Sequence, residues 1–138
     1  MKKTLWILGS LLILLLLLGG LFTFFELRSF AGATRATSTG EISTENSYLF
    51  ASPLRARANA QEKIRLTVFI LNGQGLGVQG KVVTVSSNPN LKLDLVQATT
   101  DQFGKAVFDV AATLVGEYYL QVQVEGQNLS QKAHLTYY

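Results

Sequence analysis

The groups in this 138-residue chain able to do chemistry are its few carboxylates and cations and a single histidine, and their spacing limits what they can do. Asp101 stands three residues before Gly104. A carboxylate there serves a tight turn by accepting backbone N–H bonds, or it joins a neighbouring carbonyl on calcium. Calcium takes about six to eight oxygens. No Asp-x-Asp spacing supplies them, so the turn reading is preferred and no metal is expected. His134 alone makes no metal site either. Asp94, Asp109, Glu117 and Glu125 occupy the polar positions of alternating runs, where solvated charges usually lie. No nucleophile, base and orienting group can be assembled from motifs, so no catalytic residue and no cofactor is expected.

Two sets of side chains are suited to binding. Arg55, Arg57, Lys63 and Arg65 form a basic cluster, expected on the membrane-proximal side of the domain. It would touch anionic headgroups or surface polymers, or act as a charged edge that discourages strand-to-strand aggregation. Tyr48, Tyr119 and Tyr138 are expected to be exposed aromatics of the kind enriched at contacts. Asn128-Leu129-Ser130 matches the N-glycosylation pattern, which matters only in a eukaryotic cell. From Asn46 onward eight Lys/Arg face six Asp/Glu, a difference of +2, which is no nucleic-acid footprint.

These groups hang on two kinds of element. Thr4 to Phe25 is an uncharged run, and 22 helical residues would extend roughly 33 Å, enough to cross a ~30 Å hydrocarbon layer. Lys2 and Lys3 precede the run, while Glu26 and Arg28 nearly cancel after it. The positive-inside rule therefore makes residues 1–3 a cytoplasmic start and 4–25 a transmembrane signal anchor whose partner is the lipid bilayer. A cleaved secretory signal is the rival, given the small-residue tract Phe30-Ala31-Gly32-Ala33. Signal cores usually run about 7 to 15 residues, which favours the anchor. On either reading the rest of the chain leaves the cytoplasm. There is no cysteine, hence no disulfide framework and no acylated anchor. Residues 26–45 read as a flexible linker, whose Ser/Thr-rich part from Ala33 to Glu45 holds the domain roughly 20 Å off the membrane.

From residue 46 to 138 the apolar period becomes two, the strand signal. A first strand is expected around Tyr48 to Ala51, then inward faces Ile64-Leu66-Val68-Ile70, Val83-Val85, Leu91-Leu93-Leu95, Ala106-Phe108-Val110, Tyr118-Leu120-Val122-Val124 and Ala133-Leu135-Tyr137. Turn residues separate them at Asn72 to Gly75, Asn88 to Asn90, Asp101 to Gly104, Gly116 and Gly126 to Asn128. Seven short strands over this length, with no helical segment between them, predict an all-β, immunoglobulin-like sandwich preceded by one transmembrane helix.

The stretch Ile70 to Val83, then Thr100-Asp101-Gln102-Phe103-Gly104-Lys105-Ala106, then Gly116-Glu117-Tyr118-Tyr119-Leu120, resembles the bacterial Ig-like domains of the invasin and intimin type, in that family's motif order. Asn72 stands where an aspartate is usual, and Gly77 where a proline is frequent. The turn-motif residues Asn72, Gly75, Gly80, Asp101, Gly104, Gly116 and Tyr118 are expected to have structural jobs. The resemblance, to a single copy of the domain, implies a non-catalytic module, and the apolar run anchors it at the cell membrane, exposed at the cell surface or in the periplasm. Its function would be adhesion, protein binding or envelope structure, with a protein or surface polymer as partner. The alternative is an accessory subunit docked on a larger membrane or envelope complex. Contacts are expected at the loops Gly73 to Gly80, Asn88 to Asn90 and Asp101 to Gly104, because sandwiches bind through their ends.

Overall fold

A computed structural model of the chain describes residues 2–31 and 40–138. The chain divides into two compact units, residues 1–34 and 35–138.

The first unit holds helix α1, Lys2–Ala31. It runs past the expected end at Phe25, because Glu26, Leu27 and Arg28 are strong helix formers and nothing in Glu26 to Ala31 breaks a helix. Its window Trp6–Thr23 is long and apolar enough to cross a membrane and is nowhere buried. Thr23 turns its hydroxyl back on the helix, to the Gly19 and Gly20 carbonyls at 3.1 and 3.0 Å.

Among the described residues the second unit has ten strands: β1 Ile42–Ser52, β2 Arg55–Ala56, β3 Ile64–Asn72, β4 Val83–Val85, β5 Leu91–Gln97, β6 Lys105–Ala112, β7 Gly116–Leu120, β8 Val122–Val124, β9 Gln127–Asn128 and β10 Ala133–Tyr137. The predicted linker 26–45 is thus helical to Ala31 and already strand from Ile42, while residues 32–39 lie outside the described ones. What orders residues 42–47 is tertiary. Ser47 donates to the Ser43 carbonyl (2.6 Å) and accepts from Leu71 N–H (2.9 Å), at a register irregularity between Ser43 and Tyr48.

One sheet has the order β1-β3-β6-β5, and β2-β10-β7 and β4-β8-β9 make two further arrays. The expected continuous strand Tyr118 to Val124 breaks at Gln121, because its halves pair differently: β7 with β10 and β8 with β4. Gln121 secures the switch by donating its N–H to Ser86 Oγ (2.9 Å) and its amide to the Leu129 carbonyl (2.9 Å). The expected turn Gly126 to Asn128 shifts one residue earlier. Glu125 and Gly126 take positive φ and close the β8–β9 hairpin, in which Val124 faces Gln127.

The core is aliphatic, with Phe108, Tyr118 and Tyr137 as its aromatics. Ile64, Leu66, Val68 and Ile70 from β3 meet Val122, Val124, Ala133 and Leu135 from the other layer, all fully buried. Leu95, expected inside, is 66% exposed, because β5 is an edge strand paired only with β6 and its ladder is irregular between Leu95 and Gln97.

Candidate functional site

Strand register fixes which loops share an end. Ile42 faces Asn72 and Phe69 faces Lys105, so the chain enters the domain beside the loop Asn72 to Gly80 and the turn Asp101 to Gly104. Ser52 faces Arg65, Arg65 faces Asp109, and Ala60 N–H donates to the Ala112 carbonyl (2.9 Å), all toward the opposite end. Tyr138 N–H donates to the Ala56 carbonyl (3.0 Å), so the chain also finishes there. Asn90 belongs to the same far end, its carbonyl accepting from Thr113 N–H (3.0 Å).

The expected contact loops therefore split, two at the near end and Asn88 to Asn90 at the far end. Arg55, Arg57, Lys63 and Arg65 lie toward the far end, where the Arg55 guanidinium stands 5.6 Å over the Tyr138 ring, and not on the side where the chain enters. Sequence could not place them, because the direction of β1 relative to β3 is a tertiary fact.

At the near end the motif residues clasp two loops together. Asn72 Oδ1 accepts from Gln74 N–H (2.9 Å) and Leu76 N–H (3.0 Å). An amide oxygen can do this as a carboxylate does, which explains how asparagine serves at this position. Asp101 Oδ1 accepts from Phe103 N–H (2.9 Å) and Lys105 N–H (3.0 Å). Burial pushes the Asp101 carboxyl up, but the Lys105 and Phe103 N–H groups outweigh it and hold it below the usual carboxylate range. Gly104 and Gly77 then meet backbone to backbone. A Cβ on Gly104 would lie 2.1 Å from the Ile70 carbonyl oxygen, and one on Gly77 would lie 2.3 Å from the Phe103 carbonyl. Thr100, missed as a site residue, is buried between the loops, donating to the Val78 carbonyl (2.7 Å) and accepting from Lys81 N–H (2.9 Å). Its only signal in the sequence is its place directly before the turn aspartate.

Gly75 and Gly80 take φ +77° and +78° in open space. Tyr118, two residues after Gly116, folds its hydroxyl back to the Leu114 carbonyl (2.8 Å), a tyrosine corner. Asn72, Asp101 and Tyr118 thus make hydrogen bonds within the domain, and Gly75, Gly80 and Gly104 take positive φ.

Of the carboxylates expected to be simply solvated, Asp94, Asp109 and Glu125 each meet a cation. Lys63 Nζ meets Asp94 at 2.6 Å, Arg65 Nε meets Asp109 at 2.8 Å, Arg57 lies 3.8 Å from Glu62, and Lys81 meets Glu125 at 2.8 Å. The side-chain bond from Lys63 lowers the Asp94 carboxyl, and that from Arg65 lowers Asp109. Three of the four expected binding cations thereby have a carboxylate within 4 Å, Arg57 the most loosely. Lys63, Arg65 and Asp109 line a shallow hollow with Phe50, Ser52 and Thr67. His134 lies flat on the Tyr119 ring, centroids 4.5 Å apart, with its Nε2 3.5 Å from Glu117. Tyr48, Tyr119 and Tyr138 are 46%, 61% and 57% exposed. Among the described residues no group of three metal-capable side chains converges. The exposed features are thus paired charges, aromatic faces and the loops at the two ends.

Residues 46–137 match the bacterial Ig-like domain (group 1) family. Among solved structures, the chain is similar to the Yersinia pseudotuberculosis adhesin InvE, with 30% identity, 72% of this chain and 28% of that one covered, and a TM-score of 0.62. Invasin, described as a bacterial integrin-binding protein, matches at 19% identity over 71% of this chain and 20% of its own, with a TM-score of 0.58. The D0-D1 domain of intimin matches at 24% identity over 70% and 47%, also at 0.58. The chain thus spans less than half the length of each of these structures. The last two likenesses bear on the fold alone. No curated protein matches.

Proposed function

Because the chain belongs to the bacterial Ig-like domain (group 1) family, a kind of domain found in adhesins, we propose that it is a membrane-anchored, extracytoplasmic adhesion or envelope-binding module that acts by surface contact and not by catalysis. The observation that carries this reading is the joining of that domain to α1, whose window Trp6–Thr23 is apolar and wholly exposed. An unburied face of eight successive Leu and Ile side chains, Leu11 to Leu18, is favourable in lipid and costly in water. Thr23 satisfies its hydroxyl within its own helix, so it offers a partner helix no unmet hydrogen bond, which supports a passive anchor over a subunit docked through its span. Lys2 and Lys3 before the apolar window support a cytoplasmic start and an exported domain. The domain would then offer its far end and sheet faces for contact, with a protein or surface polymer as partner.

The experiment is membrane fractionation with alkaline extraction, followed by crosslinking of intact cells with an impermeant reagent. Full-length chain retained in the extracted membrane and labelled on Lys92 or Lys132 is the expected result. Release of a shortened, soluble domain would overturn the anchor and leave a cleaved signal. Recovery of an integral membrane protein in fixed ratio would replace the adhesion reading with the accessory subunit.

A further inference from the structure

The two edges of the β1-β3-β6-β5 sheet differ. The free side of β1 is partly covered, since Leu49 N–H donates to Gln131 Oε1 (3.2 Å) and Ser130 Oγ donates to the Thr44 carbonyl (3.2 Å). Among the described residues β5 pairs with β6 alone, and Leu95 and Val96 on it are 66% and 54% exposed. An open edge carrying exposed aliphatic side chains is a template for another strand.

The sequence of that edge is self-complementary. Leu91-Lys92-Leu93-Asp94-Leu95 reads leucine, cation, leucine, anion, leucine, symmetric about Leu93 except for the sign of its charges. We propose that β5 pairs antiparallel with β5 of a second copy of this chain, about a two-fold axis at Leu93. In that register Leu93 faces its own copy, Leu91 faces Leu95, and Lys92 faces Asp94 twice. Moving the axis to Lys92 would oppose lysine to lysine, and moving it to Asp94 would oppose carboxylate to carboxylate. Opposite charges directly across a pair stabilise it and like charges destabilise it, so charge selects the Leu93 axis.

The backbone agrees with this register. The Asn90 carbonyl accepts from Thr113 N–H on the β6 side, and in an antiparallel strand successive residues turn their N–H and C=O groups to alternate sides. The peptide groups of Leu93 and Leu95 therefore point to the open edge, where Leu93 can exchange both hydrogen bonds with its copy. The side chains are available too. Lys92 is exposed and makes no salt bridge among the described residues, and Asp94 uses Oδ2 on Lys63, leaving Oδ1 to accept. The irregularity between Leu95 and Gln97 ends the pairing after Leu95. A two-fold of this kind sets the ends at which the two chains enter on opposite sides of the pair. Copies so joined reach toward one another instead of standing side by side, and the pairing holds whether or not α1 is retained.

Sedimentation equilibrium of the full chain in detergent micelles tests this with a charge exchange. The wild type is expected to form dimers as concentration rises. Lys92→Asp and Asp94→Lys should each weaken self-association by roughly tenfold or more, because both facing pairs become like-charged. An equimolar mixture of the two variants should associate again, since every facing pair is then opposite in sign. A wild type that stays monomeric, association unchanged in either variant, or a mixture that fails to recover it would each overturn the proposal. Dimers held by α1 would ignore all these substitutions and so count against it. Should Asp94→Lys unfold through loss of Lys63, Leu93→Cys supplies the second test. In a chain without other cysteines a short bismaleimide should join it to its own copy in detergent micelles, and adding Lys92→Asp should suppress that bond. A bond that does not form, or that survives Lys92→Asp, overturns the register.

Discussion

Gly104 and Gly75 have nearly the same backbone conformation, φ +75° and +77°, yet only Gly104 is hemmed in. Conformation alone costs a side chain about 1 to 2 kcal/mol in this region. At Gly104 a Cβ would also meet the Ile70 carbonyl oxygen, whose residue carries the hydrogen bond from Val78 N–H (2.9 Å). Gly104→Ala should therefore cost on the order of 3 kcal/mol or more, and Gly75→Ala about 1 kcal/mol. Urea denaturation of the two variants checks the difference, and equal losses would mean that loop contact adds nothing to conformation. The importance of Gly104 was legible in its motif. Why Gly77 is a glycine was not, because its neighbour is Phe103, 26 positions later in the chain.

At the scale of elements, Tyr137 ties β10 to β6 across the two layers. Its hydroxyl is buried and donates to the Val110 carbonyl, and its ring packs edge-on to Tyr118 with centroids 6.0 Å apart. Burial pushes the phenol up to about 12. The neutral form is the one the fold holds, so its stabilisation is complete below the unfolded value near 10 and is lost as pH rises from there toward about 12. Tyr137→Phe should lose about 1 kcal/mol at neutral pH and flatten that alkaline decline, as followed by thermal unfolding from pH 8 to 12. The alternation Ala133-Leu135-Tyr137 shows an inward face in the sequence. Which carbonyl the hydroxyl reaches depends on how the layers are stacked.

For the β domain as a whole, three carboxylates sit below their ordinary range. Lys63 holds Asp94 down and Arg65 holds Asp109 down, while at Asp101 backbone N–H groups overcome burial. A depressed carboxylate contributes stability that is present above its unfolded value, near 3.9, and is lost as pH falls through the lower folded values. The thermal midpoint should accordingly hold from pH 7 to about 5 and fall steeply below about 4. Lys63→Met with Arg65→Met should flatten the fall, and an unchanged acid profile in that double variant would place the acid sensitivity elsewhere. Both pairs are partly exposed, so added salt should weaken them at neutral pH.

By itself the sequence determined what depends on neighbours along the chain. The uncharged run makes a helix suited to lipid, period-two alternation makes strands with one buried face, and the Asp101 and Gly104 spacing makes a tight turn, because each is a local property of the backbone and its hydration. Tertiary structure decided what depends on segments distant in sequence. It broke the strand at Gln121 by giving its halves different partners, and it drew residues 42–47 into β1 through Ser47 and Leu71. It also set Arg55 and Arg65 toward the end away from the chain's entrance, and joined Lys63 to Asp94 and Arg65 to Asp109. Strand direction and sheet order bring such groups together across 31 and 44 positions of sequence, and no local pattern records a distance that only packing closes.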